Sequence, residues 1–274
     1  MTTTTTPAPA SDATGTRSGA ARLLGFTAWD FLRTVRMFSA TFFIVVLPMG
    51  MYLIFGASAG LGDETLGHGN GSAYIMTSMA AYGAITAMTA IAGSAAVERQ
   101  QGWGRQLGLT ALGNGMYMTG KTIVGLLMAI TPVIGVFVIG AATGAEFAAG
   151  WIWPATGALV LLGSLPFALY GLAAALLFRS EAAVSVASGL LVLLAFFGNL
   201  FMPLDGTMLE IARFTPVYGA TSLARWPQME GQPIPMGAEV PAADSLAAVI
   251  MNVVIWTVIF AAVCWMASRR RTSR

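Results

Sequence analysis

Six stretches of this chain contain no Asp, Glu, Lys or Arg for at least 23 residues: 37–62, 65–97, 122–145, 147–178, 182–204 and 245–268. A helix rises about 1.5 Å per residue, so roughly 20 apolar residues cross a hydrocarbon core of about 30 Å. Each stretch is long enough. At 56% hydrophobic and 9% charged, the chain lacks the polar surface to cover a soluble globule of 274 residues. The expected fold is an all-α polytopic membrane protein with six transmembrane helices, at about 38–57, 75–97, 120–142, 153–178, 182–202 and 246–267.

The gaps between these spans set the orientation. Arg17, Arg22, Arg33 and Arg36 precede span 1, and Arg99, Arg105 and Lys121 follow span 2. Arg179 follows span 4, and Arg269, Arg270, Arg271 and Arg274 follow span 6, placing twelve of the 14 cations on one side. Only Arg213 and Arg225 fall on the other. The positive-inside rule then makes both termini cytoplasmic. Residues 1–19 are a low-complexity cytoplasmic tail expected to be disordered, 37–267 form one transmembrane domain, and 268–274 are a basic cytoplasmic tail. The first apolar run, near Met37, starts too far in and is too long for a cleaved signal peptide. Arginine outnumbers lysine 13 to 1 and alanine and glycine abound, as in GC-rich bacterial genomes. The expected location is a bacterial plasma membrane. The single Cys264, inside span 6, excludes an intrachain disulfide.

Residues 20–36 have the pattern of an amphipathic interfacial helix. Leu24, Ala28, Phe31, Leu32 and Val35 gather on one side, and Arg22, Arg33 and Arg36 gather on the other, toward headgroups or a partner. Pro48 is expected to kink span 1. In span 2, Ser78, Tyr82, Thr86, Thr89 and Gly93 form a small, mildly polar stripe, either a helix-packing surface or a wall of a substrate path. Asn199 and Asn252 are further neutral candidates, for the path or as interhelical glue. Residues 205–225 read as two short helices broken at Pro216 that dip into the outer membrane face. Residues 227–241, with four prolines, read as an extended external loop.

Catalytic chemistry finds no support. His68, the single histidine, lies in a glycine-rich outer loop, and no span carries paired carboxylates. Gly115–Thr122 matches the phosphate-binding pattern G-x-x-x-x-G-K-[ST], but no strand precedes it and the helix that follows enters the bilayer. Lys121 is therefore read as a cytoplasmic-edge charge at the start of span 3. The chain is expected to be no enzyme, to hold no cofactor or metal, and to bind no nucleic acid. The lack of an ionisable residue within the spans argues against ion-coupled transport.

The segment between spans 2 and 3, Glu98-Arg99-Gln100-Gln101-Gly102-Trp103-Gly104-Arg105-Gln106-Leu107-Gly108-Leu109-Thr110-Ala111, resembles the signature of type-2 ABC exporter permeases. The chain keeps Glu98, Arg99, Gly102, Leu107 and Thr110, and departs from the pattern at Gln100, Arg105 and Ala111. The resemblance extends over nearly the whole chain from residue 20, including the short turn at Arg179-Ser180-Glu181 and the outer Phe214-Thr215-Pro216. It implies that 98–112 is a coupling helix, with Glu98, Arg99, Gly102, Arg105, Leu107 and Thr110 meeting a separate ATP-binding subunit that holds ATP and magnesium. It further implies a second permease copy or a paralogue beside this chain in the lipid bilayer. The candidate substrate path comprises Tyr82, Thr86, Thr89 and Asn199. Spans free of charge and rich in Phe, Met, Leu and Ala suit a lipophilic or amphipathic cargo such as a drug, antibiotic or lipid-like molecule. The alternative is a membrane scaffold, an assembly or immunity factor without transport.

Overall fold

The computed structural model describes residues 18–58, 60, 62, 64–103, 113–178, 180–235 and 240–269. Nine helices account for most of these residues: α1 (Gly19–Arg36), α2 (Phe38–Ala57), α3 (Gly71–Glu98), α4 (Asn114–Ala142), α5 (Ile152–Phe178), α6 (Glu181–Phe197), α7 (Gly206–Ala212), α8 (Pro216–Met229) and α9 (Leu246–Arg269). Among the described residues the only sheet is a hairpin of β1 (Thr65–Leu66) and β2 (Gly69–Asn70). Helices α2, α3, α4, α5 and α9 are long and apolar enough to cross a membrane, and α6 is a shorter apolar helix. The chain is an all-α polytopic membrane protein.

Helix α3 is the axis, buried along most of its length, with α4 on one flank and the second half of α5 on another. Small residues permit this closeness, because helix packing in lipid relies on backbones approaching rather than on hydrophobic exclusion. A Cβ at Gly171 of α5 would lie 2.1 Å from the Thr89 carbonyl oxygen. One at Gly83 would lie 2.6 Å from the Pro132 ring and 3.0 Å from the carbonyl oxygen of Ile44. Ile44 is the residue four before Pro48, so its carbonyl loses the N–H that would have met it. Ahead of Pro48, α2 takes a π-helical turn over Phe42–Val46, where the Leu47 N–H donates to the Phe42 carbonyl. The outward faces of α2 and α9 stay apolar and exposed, with Phe38, Phe43 and Ile54 on one and Met251, Val254 and Val258 on the other. That is the surface lipid covers.

Helix α6 stops at Phe197, short of the 202 expected, and a left-handed Asn199 (φ 56°) turns the chain. Its end is met from α8. The Arg225 guanidinium donates to the carbonyl oxygens of Asn199 (2.7 Å) and Leu200 (3.0 Å) and to the Ser78 hydroxyl (2.6 Å), and it stacks 3.9 Å from the Tyr74 ring centroid. These carbonyls belong to the turn that follows α6, and a buried carbonyl outside regular structure needs a donor from elsewhere in the fold.

Helices α7 and α8 fill the 205–225 segment, divided before Pro216, whose ring suits the first turn of α8. The extended loop expected over 227–241 begins later than predicted. Helix α8 continues through Pro227 to Met229, and Glu230 closes it at φ 49°. Gln228 anchors that last turn, donating from Nε2 to the carbonyl oxygens of Leu66 (3.2 Å) and Asn70 (3.0 Å). The glycine-rich loop around His68 is likewise tied down. The His68 N–H donates to the Gln228 carbonyl (2.7 Å), its carbonyl accepts from Ala148 N–H (2.9 Å), and Gly69 bridges to Phe147. Asn252 of α9 donates to the carbonyl oxygens of Arg213 (2.7 Å) and Thr215 (3.2 Å), so it does act as glue between elements.

Candidate functional site

At the Glu98 end of α3, four charged side chains from three helices meet. Lys121 of α4 places its Nζ 2.9 Å from Asp30 of α1 and 2.8 Å from Glu98. Arg33 of α1 lies 2.6 Å from the other Glu98 oxygen and 3.5 Å from Asp30. The Tyr117 hydroxyl donates to Glu98 at 2.8 Å. Two carboxylates face two cations, so the cluster balances. Asp30 and Lys121 are only 2% and 6% exposed, a burial that charged groups tolerate when paired and hydrogen-bonded.

Spacing along each helix creates the cluster. Thr27, Asp30 and Thr34 lie three and four residues apart and form the buried stripe of α1. The expected apolar face is split accordingly: Phe31 and Val35 turn partly inward, while Leu24 and Leu32 stay exposed. Helix α1 thus docks on α4 through a polar stripe. Tyr117 and Lys121 are four apart on α4 and reach the same carboxylate. Lys121 is therefore not a solvated edge charge; it sits about two turns into α4, sealed between carboxylates. Its phosphate-loop lettering falls entirely within helix. The Thr119 and Thr122 hydroxyls donate to the Gly115 and Met118 carbonyls one turn back, with no loop to wrap a phosphate.

Beyond Glu98 the helix widens into a π turn over Arg99–Trp103, and Gly102 takes φ 99°. That left-handed conformation crowds any Cβ against the backbone, so the glycine ends the helix and redirects the chain. Arg105, Leu107 and Thr110 lie outside the described residues, as do the tails 1–17 and 270–274. Arg99 is exposed, and no partner for its guanidinium occurs among the described residues.

The candidate path residues sit in packed interior. Tyr82 lies against Phe201 with ring centroids 4.9 Å apart, Thr86 is buried, and the Thr89 hydroxyl donates to the Phe167 carbonyl at 3.3 Å. Asn199 accepts from the Leu204 N–H through its side-chain oxygen at 2.9 Å. A cavity of about 230 Å³ lies elsewhere, beside the ionic cluster, where Met88, Ile91, Ala95 and Arg99 of α3 face Met118, Lys121 and Gly125 of α4 and Leu169, Leu172 and Leu176 of α5. At the far end of the molecule a second ionic group joins Arg213 to Asp244 (3.0 Å) and Glu210 (2.5 Å). Tyr218 donates to Asp244 there, and burial, with that carboxylate alongside, pushes the Tyr218 hydroxyl pKa up.

Asp30 and Tyr117 were not singled out in the sequence, and Lys121 and Arg225 figured there only as charges, without the buried partners they meet. Two signals pointed to the cluster: a Thr-Asp-Thr stripe inside an amphipathic helix, and a Tyr and a Lys one turn apart where a span begins.

Comparison with known proteins supplies the lineage. A relative in Bacillus subtilis (strain 168), named "Putative transport permease YvfS", is 29% identical over 135 residues. That alignment covers 47% of this chain and 55% of the relative, so the match spans about half of either protein. A sequence profile of the family described as ABC-2 family transporter protein matches residues 64–269, which run from the β1–β2 hairpin to the last residue of α9. The chain belongs to the ABC-2 family of transporter proteins.

Proposed function

We propose that this chain is the permease subunit of an ATP-driven exporter in a bacterial plasma membrane. It has no catalytic activity of its own and is moved by a separate ATP-binding subunit that holds ATP and magnesium. The single observation that carries the reading is the ionic cluster of Asp30, Glu98, Arg33 and Lys121, which fastens α1, α3 and α4 together just where the segment 98–112 leaves α3. A push on that segment reaches three helices at once, because charges this buried resist separation. Glu98, Arg99 and Gly102 open the coupling segment; Arg105, Leu107 and Thr110 complete its docking face. Both termini and this segment face the cytoplasm, with α6 as the fifth of six spans, and a second permease copy or a paralogue completes the transporter.

The cargo in this reading is lipophilic or amphipathic, since Tyr82, Thr86, Thr89 and Asn199 carry no charge. Its path runs along Tyr82, Thr86 and Thr89 toward Asn199, closed in the present conformation by Phe167 and Phe201. A scaffold or immunity factor without transport is the rival reading, and it requires no response of ATP hydrolysis to this segment.

The test compares Glu98→Gln with Glu146→Gln, a charge at the opposite end of the molecule, in the complex with its ATPase. Removing one partner from a desolvated charge pair costs about 2–5 kcal/mol, and an exposed loop charge about 0–1 kcal/mol. Glu98→Gln should reduce cargo-stimulated hydrolysis at least tenfold, and Glu146→Gln should leave it within twofold. Equal, small effects at both positions would reduce the segment to a connector.

A further inference from the structure

The cavity beside the ionic cluster has a shape and charge that the proposed coupling role does not use. Helices α4 and the second half of α5 both pack along α3 but hardly touch one another, which leaves a lateral cleft between them. The walls are apolar: Met88, Ile91 and Ala95 behind, Leu169 and Leu172 at the side. Exposed Met118 and Thr122 stand at its mouth. The cleft therefore opens sideways, toward the surface that lipid covers.

Its chemistry is polarised. Lys121 and Arg99 line one end, and the rest is hydrocarbon. Lys121 is neutralised by Asp30 and Glu98, so the surplus charge at that end belongs to Arg99, which has no carboxylate partner among the described residues. The height in the membrane follows from α1, which lies along the same end and exposes Leu24, Trp29 and Leu32 as an interfacial helix does. A cation at headgroup level above an apolar slot open to the bilayer matches one kind of molecule.

We propose that this cleft binds an anionic membrane phospholipid, with one acyl chain between α3, α4 and α5 and the phosphate against Arg99. A zwitterionic lipid offers the same chain but no net charge to satisfy the guanidinium. The inference rests on the cleft and the membrane setting, and it stands whether or not the chain works as an exporter. A lipid held there would lie against Arg99, the second residue of the 98–112 segment.

The full chain, purified in a mild nonionic detergent, is incubated with phosphatidylglycerol or phosphatidylcholine of identical acyl chains. Retained lipid is then counted by native mass spectrometry. One basic residue near a membrane surface contributes about 1 kcal/mol toward an anionic lipid, which is roughly a fivefold preference. The wild-type chain should retain one phosphatidylglycerol per protomer with about that preference. Arg99→Gln, at an exposed position, should bring the preference close to one while phosphatidylcholine retention stays the same. Leu172→Trp, which fills the slot, should lower retention of both lipids together. Equal retention of the two lipids by the wild type, or an unchanged preference in Arg99→Gln, would overturn the assignment. So would efficient disulfide formation between two copies carrying Ala92→Cys at the cleft, since a second protein chain would then be its occupant.

Discussion

Removing the Lys121 ammonium leaves Asp30, at 2% exposure, without its nearest counter-charge. Breaking one partner of a buried ion pair costs about 3–5 kcal/mol, because the remaining charge stays desolvated. Lys121→Met should therefore lower the thermal unfolding temperature of the purified chain markedly. Asp30→Asn with Lys121→Met should recover most of the loss, because Arg33 and Glu98 still pair. Identical unfolding temperatures for the single and double variants would show that the two charges do not interact. Arg225 poses a comparable question at the other end. Its guanidinium serves two carbonyls at the end of α6, and hydrogen bonds to charged groups contribute about 1.5–3 kcal/mol each. Arg225→Gln should accelerate amide hydrogen exchange at the C-terminal turn of α6 by at least tenfold while α4 remains protected. Uniform exchange across both helices would assign Arg225 a global role instead of a capping one. Sequence alone hid both residues for one reason: in a tally of sidedness a cation counts the same whether it meets water or a buried carboxylate.

At the scale of elements, the long charge-free stretches were legible because an apolar helix in lipid needs no partner to announce itself. Helix α3 begins at Gly71 and ends at Glu98, bracketing the 75–97 stretch read from composition. What composition leaves open is how helices end and where they face. Helix α6 ends at Phe197, and just past that end Arg225, 28 positions further along the chain, donates to the carbonyls of Asn199 and Leu200; no local signal encodes that. Helix α8 runs on through Pro227 because Gln228 is tied to the β1–β2 hairpin, a tertiary bond that overrides a local breaker. Helix α1 presents a stripe of Thr27, Asp30 and Thr34 to α4, which the separation into an apolar and a basic side does not reveal. The Gly102 turn carries its own prediction. Forcing a Cβ into a left-handed conformation costs about 1–2 kcal/mol, relieved by redirecting the chain after α3. Gly102→Ala should reduce ATPase stimulation several-fold while the unfolding temperature moves by only a degree or two, since a Cβ there would meet no neighbour within 4 Å. Unimpaired stimulation would mean that the direction of 103–112 is irrelevant to coupling.

The whole molecule has three layers: a helical body around α3, one end stitched by Gln228, His68 and Arg213, and an opposite end clamped by the Asp30–Lys121–Glu98–Arg33 cluster. Reporters fused after residue 65 or within 228–240 should read external, and reporters at 110 and 274 cytoplasmic. A cytoplasmic signal from 228–240 would remove the six-span arrangement and place the two ionic groups on one side. In the proposed function, motion of an ATP-binding partner enters the membrane through this chain. The most direct measurement reconstitutes the chain with its partner ATPase in lipid vesicles and follows ATP hydrolysis with and without an amphipathic cargo. The account predicts no hydrolysis by the chain alone, and hydrolysis by the complex that rises with cargo and falls at least tenfold in Glu98→Gln. Hydrolysis that neither the chain, nor the cargo, nor that substitution alters would contradict it.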